Sequence, residues 1–195
     1  MSKADLKTLA LIAIAACVLT TPAHADWQAD TSDKKQAKAA AALARFREEM
    51  PQIDSYFDEA YGFAIIPGIT RVAIGFGAAY GRGLVVEGDN LIGKTSFSQF
   101  SSGLQLGAKY FSMIVFFKDQ AAIEDYKKSQ FQFLGQAGID IATFGKYGTP
   151  AYNKGVALFA VNRFGLMAEF SYSGAHFKYR PLESAGQESS QDESE

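Results

Sequence analysis

The chain is poor in the side chains that carry acid–base, redox and metal chemistry. Its 195 residues include one cysteine, Cys17, two histidines, one tryptophan and five prolines. A single cysteine forms no intrachain disulfide. His24 falls in an N-terminal segment that reads as removed, which leaves His176 alone and excludes a multi-histidine metal site. One imidazole still permits a Ser-His-Asp arrangement, but the G-x-S-x-G pattern of a nucleophile elbow does not occur. The carboxylates Asp140 and Glu169 are scattered through strand-like segments and form no evident acid–base pair. We therefore assign no catalytic residue, no metal and no cofactor. Lysine and arginine make no stripe with interleaved aromatics, so nucleic acid is not an expected partner. The longest apolar run, Leu9 to Leu19, is too short for an ordinary membrane-spanning helix.

That run has another reading. Lys3 and Lys7 precede it, and Pro22 and Ala23-His24-Ala25 follow. A charged start, an apolar middle and a small-x-small site predict a secretory signal over 1–25, cut after Ala25. Ile14-Ala15-Ala16-Cys17 resembles a lipobox and is the alternative, with Cys17 as the acylated first residue. Either way the expected location is periplasmic or secreted, with anchoring to the envelope membrane through Cys17 in the second case.

Charge is unevenly distributed. The whole chain carries a net charge of −2, whereas Asp26 to Pro181 holds 17 Lys/Arg against 15 Asp/Glu. The remainder, LESAGQESSQDESE, has acids and no base. We expect one domain over 26–182 and a disordered acidic tail over 183–195.

Within the domain, DKKQAKAAAALARFREEM predicts a helix capped by Ser32 or Asp33, with Ala40, Leu43, Ala44, Phe46 and Met50 inward. Pro51 opens a second short helix. The pair, spanning 33–60, is expected to pack on the core; its apolar face is mostly alanine, too small for a membrane-bound helix. From Tyr61 onward the chain is β-rich. GFAIIPG predicts a strand stopped by Pro67-Gly68. Glu87-Gly88-Asp89-Asn90 predicts a hairpin turn, KDQAAIEDYKKSQ a helix, and Asn162-Arg163-Phe164-Gly165 a last hairpin turn. FQFLGQAGIDIATFG, NKGVALFAV and GLMAEFSYSGAHFKYR read as strands. The expected fold is α+β: a strongly curved antiparallel sheet, sandwich- or barrel-like, over 61–181, with N-terminal helices and one inserted helix.

The glycine series decides the functional class. RVAIGFGAAYGRGLVVEG places Gly75, Gly77, Ala79, Gly81 and Gly83 at alternate positions, hence on one strand face. A phosphate loop needs a strand before it and a helix after it. Here a β-rich segment follows and ends in a turn, and Gly93-Lys94-Thr95 reads as only the final three residues of a P-loop pattern. A glycine face points instead to close backbone approach or a tight bend. Anionic groups would meet the neighbouring Arg71, Arg82, Lys94 and Lys109. Acyl chains would meet Phe76, Tyr80, Phe97 and Tyr110.

Several motifs occur in order: Ala60-Tyr61-Gly62 through Pro67, Gly75-Phe76-Gly77 with Tyr80-Gly81-Arg82-Gly83, Gly103-Leu104-Gln105-Leu106-Gly107, and Gly165-Leu166-Met167-Ala168 through Gly174. In this order the chain resembles the SYLF lipid-binding domain family from about Ala40 to Pro181. The resemblance implies a non-enzymatic module that binds phosphoinositide or other anionic lipid, acting on actin in some eukaryotic members. For a secreted chain it implies lipid or a membrane surface as partner, with a protein partner as a further option. A small outer-membrane β-barrel and an envelope protein–protein interaction module are the alternative readings.

Overall fold

A computed structural model describes residues 27–128, 132–134 and 152–182, with only the backbone described for 132–134 and 165–174. The signal segment, Cys17, Asp140, most of the strand expected over 131–145 and the acidic tail lie outside them.

Three helices and four strands are described. Helix α1 is Lys34–Glu49, followed by a 3-10 turn Pro51–Ile53 and helix α2 Asp54–Glu59. Strands β1 (Gly62–Glu87) and β2 (Asn90–Phe117) follow, then helix α3 (Gln120–Lys127), strand β3 (Gln132–Leu134) and strand β4 (Val156–Pro181). Among the described residues the sheet is antiparallel in the order β1-β2-β4-β3 and is not closed. The α+β class with a strongly curved antiparallel sheet is as expected. An outer-membrane barrel, the alternative reading, needs a closed sheet, which the described strands do not form.

The strands run through the breaks expected from composition. Pro67-Gly68 stops nothing: it falls at a register shift between Ile66 and Ile69, where a bulge tolerates a residue without an N–H. Asn162–Gly165 is no turn either, since β4 continues through it with a register shift opposite Tyr110 and Phe111. In both places the unbroken partner strand carries the ladder across.

A strand of 26 residues would be roughly 85 Å long if straight, at about 3.3 Å per residue. It must bend, and it does so at Gly75, where φ is 70° and the β1–β2 register shifts. From there β1 returns over itself. Gly77 comes beside Ala73, Gly81 beside Gly68 and Ile69, Gly83 beside Ile65, and Gly62 beside Val86. The glycine face is thus the inner face of a folded ribbon, where backbone meets backbone.

Two cores result. Between the arms lie Ile66, Ile69, Val85, Phe97, Phe111, Met113, Val115 and Phe117, closed at one end by Ile123 and Tyr126 of α3. On the outer face of the base, Phe63, Ile65, Leu84, Val86, Ile114, Phe116 and Phe159 meet the helices. Apolar runs such as FSMIVFF follow from this, since both of their faces are covered. The buried face of α1 is Ala39, Ala42, Leu43 and Phe46; Ala44, expected inward, is exposed. Asp33 caps the helix, its carboxylate accepting from the Lys35 N–H at 2.7 Å.

Helix α3 is fastened to the β1–β2 turn by charge. Lys127 Nζ donates to Glu87 at 2.7 Å and to Glu124 at 2.9 Å, and the Tyr61 hydroxyl donates to Glu87 at 2.9 Å. Burial pushes the Glu87 carboxyl up, but the hydrogen bonds from Lys127 and Tyr61 outweigh it and hold the pKa below its ordinary value. A depressed carboxylate stabilises the fold above its unfolded-state pKa and loses that contribution as pH falls through the folded value. Stability is therefore expected to decline below about pH 4.5. Glu87→Gln should lower it by about 1–2 kcal/mol at neutral pH and flatten the acid limb. Denaturant titrations across pH check both.

Candidate functional site

A cleft of about 770 Å³ lies between α1 and the sheet. Lys35 and Lys38 enter it from the helix, one turn apart. Arg82 comes from β1, Lys94 from β2, and Arg163, Lys178 and Arg180 from β4. All seven are exposed. Among the described residues no carboxylate lines the cleft, and none of the seven is ion-paired. Pairing brings them together: Lys94 lies opposite Leu84 on one side and Arg180 on the other, and Ser96 lies between Arg82 and Lys178. Such a concentration of one charge costs self-repulsion in the free protein and favours an anion.

Two tyrosines orient the arginines. Arg82 Nε donates to the Tyr80 hydroxyl at 2.7 Å, which raises the guanidinium pKa further, and its Cζ lies 5.6 Å from the Tyr80 ring centroid. Arg163 Cζ lies 5.5 Å over Tyr110, whose other ring neighbour is Phe164, stacked at 5.0 Å. Tyr80 and Tyr110 both line the cleft.

Of the eight residues expected to bind lipid, the structure gathers Arg82, Lys94, Tyr80 and Tyr110 in this cleft. The other four lie elsewhere. Arg71 is buried inside the fold, donating to Gln99 at 3.2 Å, to Ser101 at 3.1 Å and to Gln105 at 3.3 Å. Lys109 is half-buried with Nζ 5.5 Å from the Phe111 ring. Phe76 is exposed at the bend of the ribbon.

Phe97 is 0% exposed and packs on Phe177 at 5.2 Å, over the space that Gly81 leaves. An acyl chain does not reach it. Phe97→Ala is expected to cost about 3–5 kcal/mol of stability, with no selective effect on a surface ligand. Thermal unfolding and ligand titration separate the two.

The other five cations were missed. Lys178 and Arg180 alternate in HFKYR and so share a strand face, a visible signal. Arg163 was hidden by the turn expected there, and Lys35 and Lys38 reach the sheet only through tertiary packing. His176 is exposed on β4 opposite Ser98.

Gly88 to Thr95, GDNLIGKT, does carry the full glycine spacing of a phosphate loop. It nevertheless forms a hairpin turn and the start of β2, with no helix after it. The Thr95 hydroxyl is buried 2.6 Å from the Tyr126 hydroxyl. Among the described residues no helix is long and apolar enough to cross a membrane, and no three His, Cys, Asp or Glu side chains gather.

No protein-family model matches the chain. It is 25% identical over 142 residues to beta cell expansion factor A of Aeromonas veronii, a match that covers 71% of this chain and 53% of that protein. The chain thus spans about half the length of that relative.

Proposed function

We propose that the protein is a non-enzymatic lipid-binding protein of the cell envelope that holds anionic headgroups in the cationic cleft. The carrying observation is the set of seven Lys and Arg side chains that, among the described residues, have no ion-pair partner and no carboxylate beside them in the cleft. Each basic residue near an anionic membrane surface contributes about 1 kcal/mol, so the set is sufficient for capture without a deep pocket. Tyr80 and Tyr110 supply flat, amphipathic surface beside the charges, as expected where a ligand is polar at one end and apolar at the other. The ordered motifs shared with SYLF lipid-binding domains support the same reading, as does the secretory leader expected at the N-terminus.

Vesicle co-sedimentation tests it. The protein is expected to pellet with vesicles of phosphatidylcholine and phosphatidylglycerol mixed equally, and not with phosphatidylcholine alone. Capture should weaken at 1 M salt, where screening shortens to about 3 Å. Equal capture by both vesicles at both salts would remove the cleft from the explanation.

A further inference from the structure

At its bend the ribbon is inside out for a water-soluble sheet. Arg71, Gln99, Ser101 and Gln105 point inward and are buried, while Val72, Ile74, Phe76, Phe100, Leu104 and Leu106 point outward. Ile74 and Leu104 are each 81% exposed, and Phe76 is 78% exposed. Alternation is maintained along each arm and is interrupted where the ribbon turns, at Ile74–Phe76 and Ser102–Leu104, which are exposed throughout; Ile74 pairs with Leu106 across the ladder. The inner polar groups satisfy one another: Ser101 Oγ donates to Gln105 at 2.9 Å, and Gln105 Nε2 donates to the Gly75 carbonyl at the bulge, also at 2.9 Å. Polar-in and apolar-out is the arrangement of strands that face lipid hydrocarbon. Contiguous exposed apolar surface of this kind marks an interaction site.

We propose that this apex inserts into the acyl margin of the bilayer whose headgroups occupy the cleft. The inference rests on the lipid-binding reading and adds where the hydrocarbon is met. Three features select a bilayer as the occupant. The patch is a projecting end where the strand reverses, with nothing within 4 Å of a methyl placed on Gly75. The polarity is inverted over this end, while nearer the base inward residues such as Ile69, Phe97 and Phe111 are apolar again. Lastly, one strand face runs from Phe76 through Ala78 and Tyr80 to Arg82, all exposed, so apex and cleft meet the same surface. The inverted stretch of β1 reaches about 10 Å beyond Val72 at a strand's rise per residue. That is far short of the roughly 30 Å hydrocarbon core, so the apex penetrates one leaflet only.

The experiment places a single tryptophan at the apex of the full chain, as Trp27→Phe with Leu104→Trp. Phosphatidylcholine/phosphatidylglycerol vesicles are added, with and without bromine on the acyl chains. Insertion predicts a blue-shifted emission that acyl bromine quenches. It also predicts that Ile74→Asp with Leu104→Asp weakens capture roughly tenfold or more, with an unchanged thermal midpoint because both side chains are exposed. Capture without blue shift or quenching overturns insertion and leaves headgroup binding standing. Absence of capture overturns the lipid-binding reading and insertion with it. A blue shift that grows with protein concentration and needs no vesicles assigns the apex to a second copy of the chain and overturns the proposal.

Discussion

An Arg82→Ala, Lys94→Ala, Arg180→Ala variant is expected to bind phosphatidylglycerol-containing vesicles about 100-fold more weakly than the parent. Removing three charges at about 1 kcal/mol each gives about 3 kcal/mol. The matched control removes three cations outside the cleft, Lys118, Lys128 and Lys154. Overall charge then changes identically, and affinity should fall no more than about threefold, since distant exposed charges are screened. Equal losses in the two variants would mean that total charge, not the cleft, attracts the membrane. Folding is not at risk in the first variant. Its three cations are exposed and unpaired among the described residues, and relieving their mutual repulsion should hold or raise the thermal midpoint. Vesicle titration and a thermal melt of each variant supply the comparison.

Gly83→Ala is expected to be the most damaging single methyl in the sheet. That methyl would overlap the Ile65 carbonyl oxygen and lie 2.8 Å from both the Ile65 carbonyl carbon and Ile66 Cγ1. Two of those atoms are backbone held in the β1–β2 ladder, where Ile65 pairs with Ile114, so no rotamer change relieves the overlap. Overpacking of this kind costs about 3 kcal/mol, or roughly 6–12 °C in thermal midpoint for a chain of this size. Gly75 supplies the contrast. A methyl there meets nothing within 4 Å, and only the φ of 70° is unfavourable. Gly75→Ala should therefore cost about 1–2 kcal/mol. If Gly83→Ala is as mild as Gly75→Ala, the arms of the ribbon do not touch as described.

Much of this architecture was legible because glycine at alternate positions has few explanations in a strand. Close backbone approach followed from Gly77, Gly81 and Gly83 sharing a parity. Which aromatics faced that side did not follow, and the reason is one residue. Counting back from the Glu87–Asn90 turn with uniform pairing sets Phe97 opposite Tyr80, among outward-facing groups. The register shift between Val85 and Val86 sets it opposite Gly81 instead, and a one-residue slip exchanges the faces. Composition did not announce that bulge. Likewise Pro67-Gly68 and Asn162–Gly165 carry turn chemistry, and only their partner strands reveal that the ladder continues. The cleft was half legible. Arg82 and Lys94 were apparent beside the glycines, whereas Lys35 and Lys38 belong to a helix whose docking depends on Leu43 and Phe46 meeting the outer core.

The pairing of β2 has a kinetic consequence. Its first neighbour, β1, is joined to it by a two-residue turn, but its second is β4, so that Gly93 pairs with Pro181. The β1–β2 hairpin can close early, since hairpins form in about 1–10 μs. At that stage Phe111, Met113 and Phe117 lack the cover that Val156, Leu158 and Phe177 later provide. The rate-limiting event is then expected to be the docking of β4 along β2 from Gly93 to Phe117. Non-local pairing of this kind places folding in the millisecond-to-second range and makes the ribbon acquire both of its cores in one cooperative step.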